Sequence, residues 1–131
     1  MKKLFFLFLI FSFTSLLAQS NGVRYLRAHN VSMGVRNNEN SPVREWILDG
    51  EEVNILIELH TTKVIIYSKE VQNYYIINQV SYSGESVKWL CKDKNAISCY
   101  LRMDYDLDYP GFMSVAVEYN DMLWFYICTH E

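Results

Sequence analysis

The sequence predicts an all-β protein: an antiparallel up-and-down meander of about eight to nine strands closing into a small barrel, with a two-sheet β-sandwich as the alternative. Three observations carry that expectation. Runs rich in β-branched and aromatic residues recur about every ten residues, with polar breaks between them. No window of useful length repeats apolar residues at helical spacing. Most breaks are short enough for a hairpin, and strands joined so closely normally pair with each other.

In chain order, strands are expected at 23–35 (broken), 43–48, 53–59, 63–68, 71–82, 87–92, 97–105, 112–119 and 122–129. The eight from residue 43 onward would close the barrel, and the gap from Tyr105 to Phe112 would be the crossing point of a sandwich. Register follows from the side chains, because a slip of one residue exchanges the faces of a strand. A three-residue loop before Ala96, which takes the left-handed position where Gly is usual, sets Cys91 against Cys99, Trp89 against Leu101 and Val87 against Met103. Lys88, Lys92, Ser98 and Arg102 then share the opposite, polar face. A turn at Asn120 and Asp121 likewise sets Val117 against Trp124, Val115 against Tyr126 and Met113 against Cys128. The other face of this last hairpin carries Ala116, Leu123, Phe125 and Ile127 beside Ser114 and Glu118, more apolar than open water favours, so a cover is expected over it. In the hairpin turning at Thr61 and Thr62, Val53, Ile55, Ile57 and Leu59 share the inner face with Val64 and Ile66.

The chain opens with Met1, Lys2 and Lys3, continues in an apolar run from Leu4 to Leu17, and closes with Ala18, Gln19 and Ser20. A basic head, an apolar middle and small exit residues are the parts of a secretory signal peptide, expected over residues 1–18 with cleavage after Ala18, or alternatively after Ser20. The run is shorter than the ~20 residues a spanning helix needs, so no membrane span is expected once it is removed. Its crowding of Phe and Leu before Ala18-Gln19-Ser20 resembles the signal peptides of Bacteroidota. That resemblance implies a periplasmic or secreted protein of a Gram-negative bacterium. Residues 19–131 are then a single all-β domain.

Losing Lys2 and Lys3 moves the net charge from −3 to −5. No Lys/Arg cluster remains to meet a phosphate backbone, which argues against nucleic acid and anionic membrane surfaces. Export turns the three cysteines into a disulfide question, with Cys91 and Cys99 the candidate pair and Cys128 left over or bridging to either. The alternative is three buried free thiols serving as small apolar groups.

Catalytic and metal signatures are missing. His29, His60 and His130 are scattered, and neither a GxSxG elbow nor a phosphate-cradling glycine loop is present. Asp104, Asp106 and Asp108 alternate as the start of a calcium loop would, but Tyr109 stands where its Gly belongs and Val115 where its Glu belongs. No cofactor or metal is expected. Ten Tyr and three Trp supply the functional lead, since amphipathic aromatics are enriched at contact surfaces. The candidate binding or interface face is Tyr67, Leu90, Tyr100, Leu123, Phe125 and Ile127, with self-association one use of it. The expectation is a non-catalytic binding module for a protein partner, a glycan or a small apolar ligand. The alternative is a small periplasmic hydrolase whose site is assembled from residues distant in sequence.

Overall fold

A computed structural model of the chain describes residues 23–106 and 108–131. The signal peptide expected over residues 1–18 lies outside the described residues. Eight antiparallel strands, each paired with the next, form a closed barrel. They are β1 (Val23–Val35), β2 (Glu45–His60), β3 (Lys63–Tyr67), β4 (Val71–Tyr82), β5 (Ser86–Asp93), β6 (Ser98–Tyr105), β7 (Phe112–Glu118) and β8 (Met122–His130). β8 closes the ring against β1.

Barrel rather than sandwich is thus the outcome, and two details differ from the sequence reading. The runs at 43–48 and 53–59 belong to one strand, β2, because the polar break between them is absorbed as a distortion and not a turn. Gly50 there has φ +67°, a left-handed backbone that glycine adopts without a Cβ penalty. The Gly50 amide donates to Ser32 Oγ at 2.8 Å, and the register against β1 shifts at this point. The second difference is that β1 is a full stave of the barrel, paired on both sides. A register shift between Ala28 and Asn30 against both neighbours leaves His29 as the break that the sequence suggested.

The registers argued from side chains are those observed. Cys91 faces Cys99, Trp89 faces Leu101 and Val87 faces Met103. Val117 faces Trp124, Val115 faces Tyr126 and Met113 faces Cys128. Ala96 takes φ 62°, and the Asp93 amide bonds the Ile97 carbonyl at 3.0 Å to close the loop. Leu26, Ile57, Ile66, Leu101, Val115 and Tyr126 fill the interior, each fully buried. An eight-stranded barrel is just wide enough to be packed by its own inward side chains. An apolar ligand inside the ring would have to displace them.

The exception to even staves is β3, only 5 residues long. It pairs with β2 through Ile57, Glu58 and Leu59 alone, so Val53 and Ile55 run past its end. Among the described residues, the stretch 45–56 of β2 and the stretch 77–81 of β4 therefore each have a strand on one side only.

Candidate functional site

The face chosen from sequence is partly assembled. Leu90, Tyr100, Glu118 and Leu123 form one outward row across β5 to β8, and Lys88, Arg102, Ala116 and Phe125 form the next. Ile127 lies beyond them opposite Ser114. Tyr67 is on β3, away from this group, opposite Val71. Yet the face does not offer its apolar groups to solvent. Ala116, although outward, is only 1% exposed, and Glu118 only 9%.

The cover that the sequence called for is the sheet's own long side chains. Arg102 Nη1 lies 3.2 Å from Glu118 Oε2, and Arg102 Nε lies 2.9 Å from Asp104 Oδ2. Lys88 Nζ is 3.8 Å from Glu118 Oε1 and 4.5 Å from the centre of the Tyr100 ring. The aliphatic stems of Lys88 and Arg102 thus lie along the sheet while their charged heads converge on one carboxylate. Leu90, Tyr100, Leu123, Phe125 and Ile127 are all half-buried. Of the six residues proposed from sequence, Tyr67 alone is exposed.

The cysteine pairing is corrected in the same way. Cys91 and Cys99 stand opposite each other, as expected, but both thiols are free, as is that of Cys128. Counting back two residues from the bonded Asp93 and Ile97, Cys91 and Cys99 form a hydrogen-bonded pair, the more widely spaced of the two antiparallel types. Cys91 Sγ donates instead to the Trp89 carbonyl at 3.8 Å. Burial pushes the Cys91 thiol up to about 11 and those of Cys99 and Cys128 up to about 12.

The three histidines are each engaged locally. His29 bonds Thr129 at 2.7 Å, His60 bonds Glu58 at 2.9 Å, and His130 meets the Arg24 guanidinium at 2.6 Å. Among the described residues no three His, Cys, Asp or Glu side chains gather as metal ligands would. No helix of the described residues is long and apolar enough to cross a membrane.

The site that sequence reasoning missed is at one end of the barrel, where the β3–β4, β5–β6 and β7–β8 turns meet. A cleft of about 410 Å³ opens there, walled by Val71, Ile97, Met122, Tyr119 and Trp124 and floored by Tyr74. Glu70, Asn73, Lys94, Asn95 and Asp121 form its rim. Mouths of β-barrels are favoured ligand positions, and this volume falls in the range of small-molecule pockets.

Its polar groups form a chain. Asp93 Oδ1 accepts from the Asn95 and Ile97 amides at 2.9 and 3.0 Å, and Oδ2 accepts from the Tyr119 hydroxyl at 2.9 Å. Tyr74 donates to Gln72, whose Nε2 donates to Ser68 Oγ at 2.8 Å and reaches Tyr126 Oη at 3.4 Å. Burial opposes the charge on Asp93, but the Ile97 amide, the Tyr119 hydroxyl, the Asn95 amide and nearby Lys94 together hold its carboxyl below the usual range. Burial also pushes the Tyr74 and Tyr119 phenols upward, so both remain neutral donors. The one sequence signal for this site was the left-handed loop before Ala96, which aims Asp93 at its own turn. Nothing in the spacing showed that Tyr74, Tyr119 and Trp124, from three hairpins, would converge. No protein-family model, no curated protein and no solved structure matches the chain.

Proposed function

We propose that the chain is an exported, non-catalytic binding module that takes a small saccharide in the cleft at the barrel end. The observation that carries this reading is the combination of apolar walls with fixed hydrogen-bonding groups in one recess. Trp124 and Tyr119 supply flat surfaces for the C–H face of a sugar ring, while Asn73, Asn95, Asp93 and the Tyr119 hydroxyl are placed for its hydroxyls. Glu70, Asp93 and Asp121 against Lys94 leave the recess acidic, which favours a neutral or amino-bearing sugar over an anionic one.

The binding reading is preferred to hydrolysis because of how Asp93 is held. Its carboxylate already accepts three hydrogen bonds and stays ionised, whereas a general acid or base needs a pKa close to the working pH. One acceptor position of its roughly four is left for a ligand.

The test is an amide-resolved NMR titration of the chain from residue 19 onward, which contains all the strands of the described residues, with neutral and amino monosaccharides and disaccharides. Saturable shifts confined to the amides of residues 70–74, 93–97 and 119–124 are expected, weakened in Ile97→Ala, whose side chain is 53% exposed and outside the core. Absence of any saturable shift across the panel overturns the reading, and release of cleaved sugar overturns its non-catalytic part. Export is tested by the amino terminus of the chain recovered from cells, expected at Gln19.

A further inference from the structure

One wall of the cleft hangs on the β7–β8 turn, which supplies Tyr119 and Asp121 and leads into Met122 and Trp124. Asn120 and Asp121 at its tip are exposed. The turn closes on itself through the Tyr119 amide, which donates to the Met122 carbonyl at 2.8 Å. Its carbonyls at 119, 120 and 121 all accept from one residue of the loop between β1 and β2, 36–44. Arg36 Nη2 donates to the Tyr119 carbonyl at 2.6 Å, Arg36 Nε to the Asn120 carbonyl at 3.4 Å, and the Arg36 amide to the Asp121 carbonyl at 2.8 Å. The Glu39 amide adds a bond to Asn120 Oδ1 at 3.1 Å. Among the described residues, none of loop 36–44 lines the cleft itself.

This support is braced from behind. The Arg44 amide donates to the Val35 carbonyl at 2.7 Å, and Asn38 accepts from the Asn40 and Ser41 amides at 2.9 and 3.1 Å. Val43 and Trp46 pack so closely on Gly34 that a Cβ there would come within 2.7 Å of Val43 Cγ1. Arg36 therefore reaches the turn from a fixed base, and its side chain is half-buried.

We propose that Arg36 is a positioning residue for the cleft: its guanidinium fixes the β7–β8 turn so that the Tyr119 ring stands as a wall and the Tyr119 hydroxyl meets Asp93. The consequence for ligand affinity rests on the saccharide reading, whereas the consequence for the Tyr119–Asp93 bond, 2.9 Å long, does not. The fork of the side chain carries the effect. A guanidinium presents its donors in one rigid plane and holds two carbonyls at once, while a lysine ammonium is a single point charge on a flexible stem. The cation beside Asp93 is Lys94, so Arg36 acts on that carboxylate through the turn.

Carbon-detected NMR of the Asp93 carboxyl tests this in the chain from residue 19 onward without sugar, comparing Arg36→Ala, Arg36→Lys and Tyr119→Phe. Lys94, Tyr74, Tyr119 and Cys99 are the other titratable groups facing Asp93, so its own carboxyl signal is followed. Its titration midpoint is expected to rise in both Arg36 variants, because a carboxylate that loses a donor is less favoured as the anion. Tyr119→Phe moves it the same way, and adding Arg36→Ala to Tyr119→Phe raises it no further, since both act through one hydrogen bond. Sugar affinity falls about fivefold in each Arg36 variant, the equivalent of one lost hydrogen bond. Unchanged circular dichroism shows that the variants fold. A midpoint unmoved in both Arg36 variants overturns the proposal, as does a rise in Arg36→Ala that Arg36→Lys lacks, which assigns the effect to charge. Shifts that add in the double variant overturn it too, as does an unchanged affinity where the unsubstituted chain binds. If no sugar binds the unsubstituted chain, the saccharide reading falls, while the Asp93 midpoint still decides the role of Arg36.

Discussion

From β5 round to β1 the barrel wall is knit by ladders of 6 to 9 residue pairs, whereas β3 is held by 3 pairs on one side and 5 on the other. The two regions also treat outward apolar residues differently. On β5 to β8, Lys88 and Arg102 converge on Glu118, and Leu90, Leu123, Phe125 and Ile127 are half-buried. On β3 and β4, Tyr67, Val71, Tyr75, Ile77 and Val80 are all at least 40% exposed. Similar strand chemistry yields a sealed surface in one place and an open one in the other. What differs is strand length and the presence of long charged side chains able to lie across the sheet.

The comparison breaks most visibly under truncation. Leu101→Ala, in the laddered half, should cost about 2–5 kcal/mol, because a fully buried side chain leaves a cavity. Tyr75→Ala, exposed on β4, should stay within about 0.5 kcal/mol. Chemical denaturation of both variants checks this, and equal losses would show that the two halves are packed alike.

The thiols report on the same half, since Cys91, Cys99 and Cys128 lie on β5, β6 and β8. Without reductant, alkylation should reach none of them in the folded chain and all three on unfolding. A single labelled cysteine would mean that two of the three had been oxidised to a disulfide, and Cys128 as the labelled one would identify the pair as Cys91 and Cys99. Their folded pKa values are raised above the ordinary 9.0, so the unfolded chain releases protons first as pH climbs. The stability they contribute is complete below about pH 9 and is lost as pH rises through 11 to 12, readable as an alkaline unfolding transition.

Smaller effects belong to the barrel end. Tyr119→Phe removes a donor to Asp93 and should cost about 1 kcal/mol. The Asp93 carboxyl then moves up toward its ordinary range. A carboxylate with a depressed folded pKa stabilises above its unfolded value and loses that contribution as pH falls through the folded one. The variant's stability should therefore fall less on acidification, which acid denaturation followed by fluorescence would show. Ala96→Gly should stabilise by about 0.5–1 kcal/mol, because a Cβ at φ 62° is strained; thermal melting measures it.

Much of the fold was legible. Alternating patterns at Val87, Trp89 and Cys91 and at Trp124, Tyr126 and Cys128 have a clear inner and outer face, and each slip of register would have buried a charge. The loop before Ala96 was legible because three-residue hairpin loops demand a left-handed last position, whatever residue fills it. The union of 43–48 with 53–59 was not, since Asp49, Gly50, Glu51 and Glu52 have the composition of a turn, and only the pairing of Leu48, Glu51 and Glu52 with β1 on either side of the left-handed Gly50 carries the strand through. Nor was the cleft, whose walls are sequence-distant residues that belong to no motif.

By itself, the sequence determined the strand class, the inward face of each hairpin and the local registers, because these follow from period-two patterning and turn chemistry within about twenty residues. Ring closure was decided by tertiary structure, as was the burial of an outward Glu118 beneath two cations, the shortness of the β3 ladders that leaves an edge of β4 open, and the meeting of Tyr74, Asp93, Tyr119 and Trp124 at one mouth. Each of these depends on which strands lie side by side and how far each runs past its neighbour, a relation among distant segments that no local pattern encodes.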